Sequence, residues 1–180
     1  DIRDPMLRDA KMRLRKAKLQ NYQCVPPRHP YLSKLKGKMN WVICDVPCSA
    51  TGVLRRNPDQ KWNYSDEKLW DFVGKQREIV DQALPYMHAD GKLVYITASI
   101  LDEENVQNVK YFCQKHGLYL SEHPFHALPQ SKGMDGFFMA VMERKKIEGL
   151  KDPEKDGTKG FVANGNDADD LTMPDLRLDD

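Results

Sequence analysis

One hundred and eighty residues with 40% hydrophobic content are enough for a single globular domain with its own core, and 28 Lys and Arg nearly balance 27 Asp and Glu. No apolar run approaches the roughly 18 to 20 residues of a membrane span, and the four cysteines, at 24, 44, 48 and 113, form neither a CxxC pair nor a zinc pattern. A helical membrane protein, a disulfide scaffold and a zinc module are set aside, which leaves the expectation of a reducing intracellular compartment, no metal and no membrane partner.

The near balance of charge conceals an asymmetry. Residues 1–38 carry eleven Lys and Arg against three Asp and Glu, whereas residues 151–180 carry four against nine. A basic face at one end and an acidic stretch at the other point toward nucleic acid, with a merely solvated basic helix as the plainer alternative. The sequence opens on Asp-Ile-Arg-Asp-Pro, as if in mid-element. Asp4 and Pro5 read as an N-cap and a first helical residue, and Leu7, Ala10, Leu14 and Ala17 then recur at helical spacing through about Leu19. Residues 21–39 hold three prolines and little periodicity, so at most a short strand is expected near Cys24 and Val25. Asn40 to Val46 reads as a buried strand ended by Pro47.

Ser65 then caps a helix with one apolar stripe of Leu69, Phe72, Val73, Ile79, Val80, Ala83 and Leu84, closed by an Asp90-Gly91 turn. Lys92 to Thr97 reads as a second buried strand. A helix over about 102–116 turns Val106, Val109, Phe112 and Cys113 inward and stops at Gly117, and residues 118–123 and 136–143 follow as an antiparallel strand pair at a sheet edge. From Lys145 onward periodicity fades, and 148–180 reads as an acidic, flexible tail behind a domain over 1–147. This order predicts an α/β domain with a mostly parallel, Rossmann-like sheet finished by an antiparallel pair, which by itself names no reaction.

Chemistry should lie where a strand gives way to a loop, and the loop 47–64 is long for a compact domain. Asp45, Cys48, Arg55, Arg56 and Lys61 fall in the one run from Trp41 to Trp62, a carboxylate and a thiol followed by three cations, which suggests a site for a polar, phosphate-bearing substrate. The plainer alternatives are a spectator thiol at Cys48 and a structural ion pair, for instance with Asp59, for Arg55 and Arg56.

The stretch Asp-Val-Pro-Cys-Ser-Ala-Thr-Gly-Val-Leu-Arg-Arg-Asn-Pro-Asp-Gln-Lys-Trp at 45–62 resembles the signature loop of the Sun (Fmu) family of RNA cytosine-5 methyltransferases. Gly-Lys-Leu-Val-Tyr-Ile-Thr-Ala-Ser-Ile-Leu-Asp-Glu-Glu-Asn at 91–105, Asp-Gly-Phe-Phe-Met-Ala at 135–140 and the acidic start Asp1-Ile2 agree in order and spacing. The resemblance implies methylation of carbon 5 of a cytosine in RNA, most often ribosomal RNA or a pre-ribosomal particle, with S-adenosylmethionine as cofactor. It implies that Asp1 grips the cofactor's ribose, that Asp45 serves cofactor and base, and that Cys48 helps eliminate the nucleophile from the methylated product. Arg55, Arg56 and Lys61 lie where RNA would be held.

Two departures accompany the match. The family's nucleophile is the cysteine of a Thr-Cys-Ser triplet, and this sequence reads Thr97-Ala98-Ser99. A methyl side chain cannot add to a pyrimidine, so three explanations compete: an engineered knockout, a naturally inactive relative acting as an RNA-binding assembly factor, or transfer of the nucleophile's duty to Cys48. The sequence also has no counterpart of the family's first strand and Gly-rich cofactor loop, so a partial catalytic domain is expected.

Overall fold

The computed structural model describes residues 3–27, 29–130 and 133–144. Asp1 and the expected tail over 148–180 lie outside the described residues. The fold is α/β: α1 (Asp4–Lys16), β1 (Met39–Asp45), a single turn α2 (Gln60–Asn63), α3 (Asp66–Ala83), β2 (Met87–Thr97), α4 (Val106–His116), β3 (Leu118–Leu120), β4 (Phe125–Ala127) and β5 (Phe137–Arg144). The sheet runs β1-β2-β5-β3, with β4 also on β5. β1 and β2 are parallel and joined through α3, while β5 pairs antiparallel with β2, β3 and β4.

Period-two patterning sets which face of the sheet is covered. Val42 and Cys44 from β1, Val46 just after it, and Leu93 and Tyr95 from β2 meet Phe138, Ala140 and Met142 from β5, beneath Val80 of α3 and Val109 and Phe112 of α4. Tyr95 stacks edge-on against Phe112 at 5.2 Å and Phe138 at 6.5 Å. On the other face of β1, Trp41 and Ile43 are 57% and 65% exposed, so this strand is half-buried rather than wholly buried as its apolar letters suggest.

Other expectations need correction. α1 is capped by Arg3 rather than Asp4, ends at Lys16, and none of its residues is buried; Lys18, at φ 57°, breaks the periodicity that runs on to Leu19. No strand forms at Cys24 and Val25. α3 begins as predicted, with Ser65 Oγ accepting from the Lys68 N–H at 3.3 Å, but it stops at Ala83 in a tight turn through Pro85, which cannot continue the ladder.

Asp90-Gly91 therefore lies inside β2 as an irregularity: the register passes from Met39 opposite Met87 to Trp41 opposite Lys92. Gly91 is needed there because a Cβ would sit 2.7 Å from the Met39 carbonyl oxygen. The helix before β3 starts at Val106 rather than at about 102, and it ends on Gly117 at φ 61°, as predicted. The strand that pairs with β3 is not at the edge: β5 lies between β2 and β3.

Candidate active site

Three chain turns meet at the carboxyl ends of β1 and β2. The first leaves β1 through Pro47, Cys48, Ser49 and Ala50, the second leaves β2 through Ala98 and Ser99, and the third enters β5 through Asp135 and Gly136. Gly52 joins all three: its N–H donates to the Ala98 carbonyl at 2.9 Å, and its own carbonyl accepts from the Gly136 N–H at 2.7 Å. A Cβ on Gly52 would lie 2.7 Å from both the Ala98 and Gly136 oxygens, and one on Gly136 would lie 2.6 Å from the Gly52 Cα. Backbone packed this closely leaves no room for a side chain. Cys48 lies against the backbone of Ala50 and Ala98, and both Cys48 and Ala98 are half-buried, neither sealed in the core nor fully open. The two positions singled out from the sequence are thus neighbours.

Polar side chains fix this junction from below. Ser49 donates to Glu104 through its N–H (2.8 Å) and its hydroxyl (2.5 Å), and the Ser99 hydroxyl lies 3.1 Å from the Thr51 hydroxyl. Thr97 Oγ1 donates to Asn105 Oδ1 at 2.6 Å, and Asn105 Nδ2 donates to the Ser99 carbonyl at 2.9 Å. Gln76 Nε2 donates to both Glu104 Oε1 (2.9 Å) and the Pro47 carbonyl (3.0 Å). Thr97, Ser99, Glu104, Asn105, Asn108 and Gln76 are all fully buried, and their mutual bonds offset the cost of desolvating them.

Burial pushes the Cys48 thiol above its ordinary value of 9.0. Backbone hydrogen bonds from Ala50 and Ala98 pull the other way, but the charges of Glu104 and Asp45 add to the rise. Cys48 is therefore a neutral thiol at neutral pH, which argues against its taking over as nucleophile. Cys44, buried within β1, is pushed to about 11 by burial.

The cations behave differently from their sequence pattern. Arg55 donates to the Gln130 and Gly133 carbonyls (3.1 and 3.2 Å) and pairs with Asp135 Oδ1 at 3.0 Å, while Arg56 Nε pairs with Asp135 Oδ2 at 2.6 Å. Both guanidiniums clamp the loop before β5 onto the loop after β1, and the partner is Asp135 rather than Asp59. Lys61 lies over the Trp62 ring at 4.7 Å, and Trp62 is 78% exposed. Asp45 is paired through its backbone at the end of β1, and its exposed carboxylate has no hydrogen bond or ion pair to the described residues. A carboxylate with both oxygens open, at the end of a parallel strand pair, fits a cofactor with hydroxyl or amine donors. The described residues include no group of three metal-ligating side chains and no helix long and apolar enough to cross a membrane.

The family model for 16S rRNA methyltransferase RsmB/F matches residues 6–143. The chain belongs to the RsmB/F family. Ribosomal RNA small subunit methyltransferase B of Proteus mirabilis is 39% identical over 104 residues, which cover 58% of this chain and 25% of that protein. This chain spans about a quarter of the length of the curated relatives it matches. Among solved structures, PH0851 superposes with a TM-score of 0.71 at 23% identity over 80% of this chain and 36% of its own. NSun6 from Pyrococcus horikoshii, solved with SFG, gives 0.62 at 24% identity over 82% of this chain and 41% of its own. At such identity these two likenesses speak to the fold, a Rossmann-like methyltransferase sheet with antiparallel C-terminal strands.

Set in the RsmB/F fold, the sequence motifs and the observed junction coincide at Cys48 and Ala98. Sequence reasoning missed Gln76, Tyr95, Glu104, Asn105, Asn108 and Asp135. Gln76 falls within the apolar stripe of α3 and Asn108 between the apolar positions of α4, and a polar residue in such a stripe is the signal that could have found them.

Proposed function

We propose that this chain is part of a methyltransferase domain that acts on cytosine carbon 5 in ribosomal RNA, free or in a pre-ribosomal particle, with S-adenosylmethionine as cofactor, and that its covalent step is blocked at Ala98. The observation that supports the reading is the junction of the post-β1 and post-β2 turns, where Gly52 bonds to the Ala98 carbonyl and the Cys48 thiol lies against the Ala98 backbone.

Carbon 5 of cytosine is a poor nucleophile. A thiolate that adds to carbon 6 makes an enamine able to attack an electrophilic methyl, dividing one barrier into two. S-adenosylmethionine, when bound, supplies that methyl group. Asp45, with Asp1 by resemblance, holds the cofactor, and a carboxylate beside the ring favours addition by stabilising charge on the base. Cys48 rests with its proton on Sγ; release of an adduct needs a base for the carbon 5 proton as the nucleophile leaves carbon 6, so Cys48 would assist that step only after giving up its own proton. Lys61 and the ring of Trp62 offer charge and a stacking face to RNA, while Arg55 and Arg56 contact phosphate only as far as their bonds to Asp135 allow. Where the family carries its nucleophile there is only the Ala98 methyl, so the first covalent bond does not form.

A second reading is an inactive RNA-binding assembly factor, favoured by Ala98 together with the protonated state of Cys48. The test is ribosomal RNA binding across a salt series, with transfer of labelled methyl groups from S-adenosylmethionine measured in parallel on the full-length protein. The proposal expects binding that weakens steeply with salt, retained cofactor affinity and no 5-methylcytosine. Clear methylation would overturn the block at Ala98 and the second reading with it. RNA binding with no cofactor affinity would favour the assembly factor, and no RNA affinity at modest salt would overturn both.

A further inference from the structure

Glu104 is fully buried, and the covalent chemistry makes no use of it. A buried carboxylate is costly unless its oxygens are satisfied, and this one is satisfied almost entirely by the turn that carries Cys48. Oε1 accepts the Ser49 N–H at 2.8 Å and Oε2 accepts the Ser49 hydroxyl, so both oxygens grip the residue after Cys48. The residue before Cys48 is held through one intermediary. Gln76 Nε2 donates at once to Glu104 Oε1 and to the Pro47 carbonyl, while Gln76 Oε1 accepts from Asn108 Nδ2 (2.7 Å) and lies 3.1 Å from Tyr95 Oη. The Gln76 amide is thereby fixed at both ends. Tyr95 Oη donates to the Glu104 carbonyl at 2.6 Å, which pins the backbone of Glu104 to β2, the strand that leads to Ala98.

We propose that Glu104 is a positioning residue for Cys48: its carboxylate holds Ser49 directly and Pro47 through Gln76, and so sets the thiol between them against the backbone of Ala98. The use made of that thiol rests on the methyltransferase reading above; the positioning does not. The charged and titratable groups around Cys48 are Glu104 from the β2–α4 connection, Asp45 from β1 and Tyr95 from β2. Burial is the main reason the thiol stays protonated, and both carboxylates add to it, so Glu104 holds Cys48 in place and also opposes its ionisation.

The test is alkylation of Cys48 by iodoacetamide in the full chain, read peptide by peptide by mass spectrometry over about pH 6 to pH 10, with Cys113 as internal control. Glu104→Gln keeps the shape and removes the charge, so the midpoint of the Cys48 profile should fall and its rate at neutral pH should rise about three- to tenfold, with Cys113 unchanged. Ser49→Ala removes one of the two bonds and keeps the charge. It should raise the Cys48 rate without moving the midpoint, and it answers the question if Glu104→Gln does not fold. A lowered melting temperature with an unaltered Cys48 profile in the folded variants would make Glu104 a structural residue only and overturn the proposal. The readout needs neither RNA nor cofactor, so a positive result alongside absent RNA binding would leave the positioning role standing and sink the methyltransferase reading alone.

Discussion

Gly52→Ala probes the junction at its tightest point. The added Cβ would meet the Ala98 oxygen at 2.7 Å, the Gly136 oxygen at 2.7 Å and the Gly136 carbonyl carbon at 2.8 Å, all of them backbone atoms that no rotamer change can move aside. Relief requires separating the turns, which stretches the Gly52-to-Ala98 and Gly136-to-Gly52 hydrogen bonds together. Two such bonds are worth ~1 kcal/mol each. Forcing a methyl into packed surroundings adds ~1–3 kcal/mol. The expected loss is about 3 to 5 kcal/mol, a large share of the ~5–15 kcal/mol that holds a domain folded, and it corresponds to a fall in Tm of roughly 10 °C. Urea unfolding followed by tryptophan fluorescence measures it. Gly74→Ala is the matched control, because nothing lies within 4 Å of a Cβ there and the residue is inside α3, where alanine should add up to ~1 kcal/mol. A Gly52→Ala protein within about 1 kcal/mol of the parent would refute the closeness of the three turns.

Ala50 adopts φ 58° in the left-handed region, so Ala50→Gly should stabilise the full chain by ~1 kcal/mol in the same unfolding assay; a loss instead would mean that the turn is not strained there. Asp135→Ala removes the carboxylate partner of two guanidiniums that are themselves 46% and 67% exposed, so the cost should be only ~1 kcal/mol and should shrink at high salt; a loss of several kcal/mol, indifferent to salt, would contradict a solvent-screened clamp. Burial works to raise the Asp81 carboxyl, but hydrogen bonds from Lys115 and His116 hold it below its ordinary 3.8. A depressed carboxyl stabilises the folded state above its unfolded pKa and loses that contribution as pH falls through the folded one. Asp81→Asn should therefore lower Tm at about pH 5 and make progressively less difference as the pH is taken below about 4; an undiminished difference there would refute the ion pair's role.

The periodic elements were legible because burial follows period. Leu69, Val73 and Val80 fix one face of α3, and Val42 and Cys44, with Val46 just beyond, fix one face of β1. Composition could not say that the other face of β1, with Trp41 and Ile43, faces outward, since both faces carry apolar letters. Asp90-Gly91 reads as a turn from local propensity, but pairing with β1 overrides it and the glycine serves a close approach to Met39 instead. Site residues on the two turns that follow the strands were legible from the motif. Glu104 and Asp135 were not, because their roles depend on partners 55 and 80 residues away in sequence, Ser49 and Arg55.

Ala98→Cys tests the central claim most directly, with the full-length protein, ribosomal RNA and S-adenosylmethionine, scoring denaturant-resistant protein–RNA adduct and 5-methylcytosine. Restoring a thiol beside Cys48 should make adduct or methylated product appear where the parent gives neither, and adding Cys48→Ala should make adduct accumulate. A folded Ala98→Cys protein that binds RNA and cofactor yet forms neither adduct nor product would contradict the claim that Ala98 alone closes the covalent route.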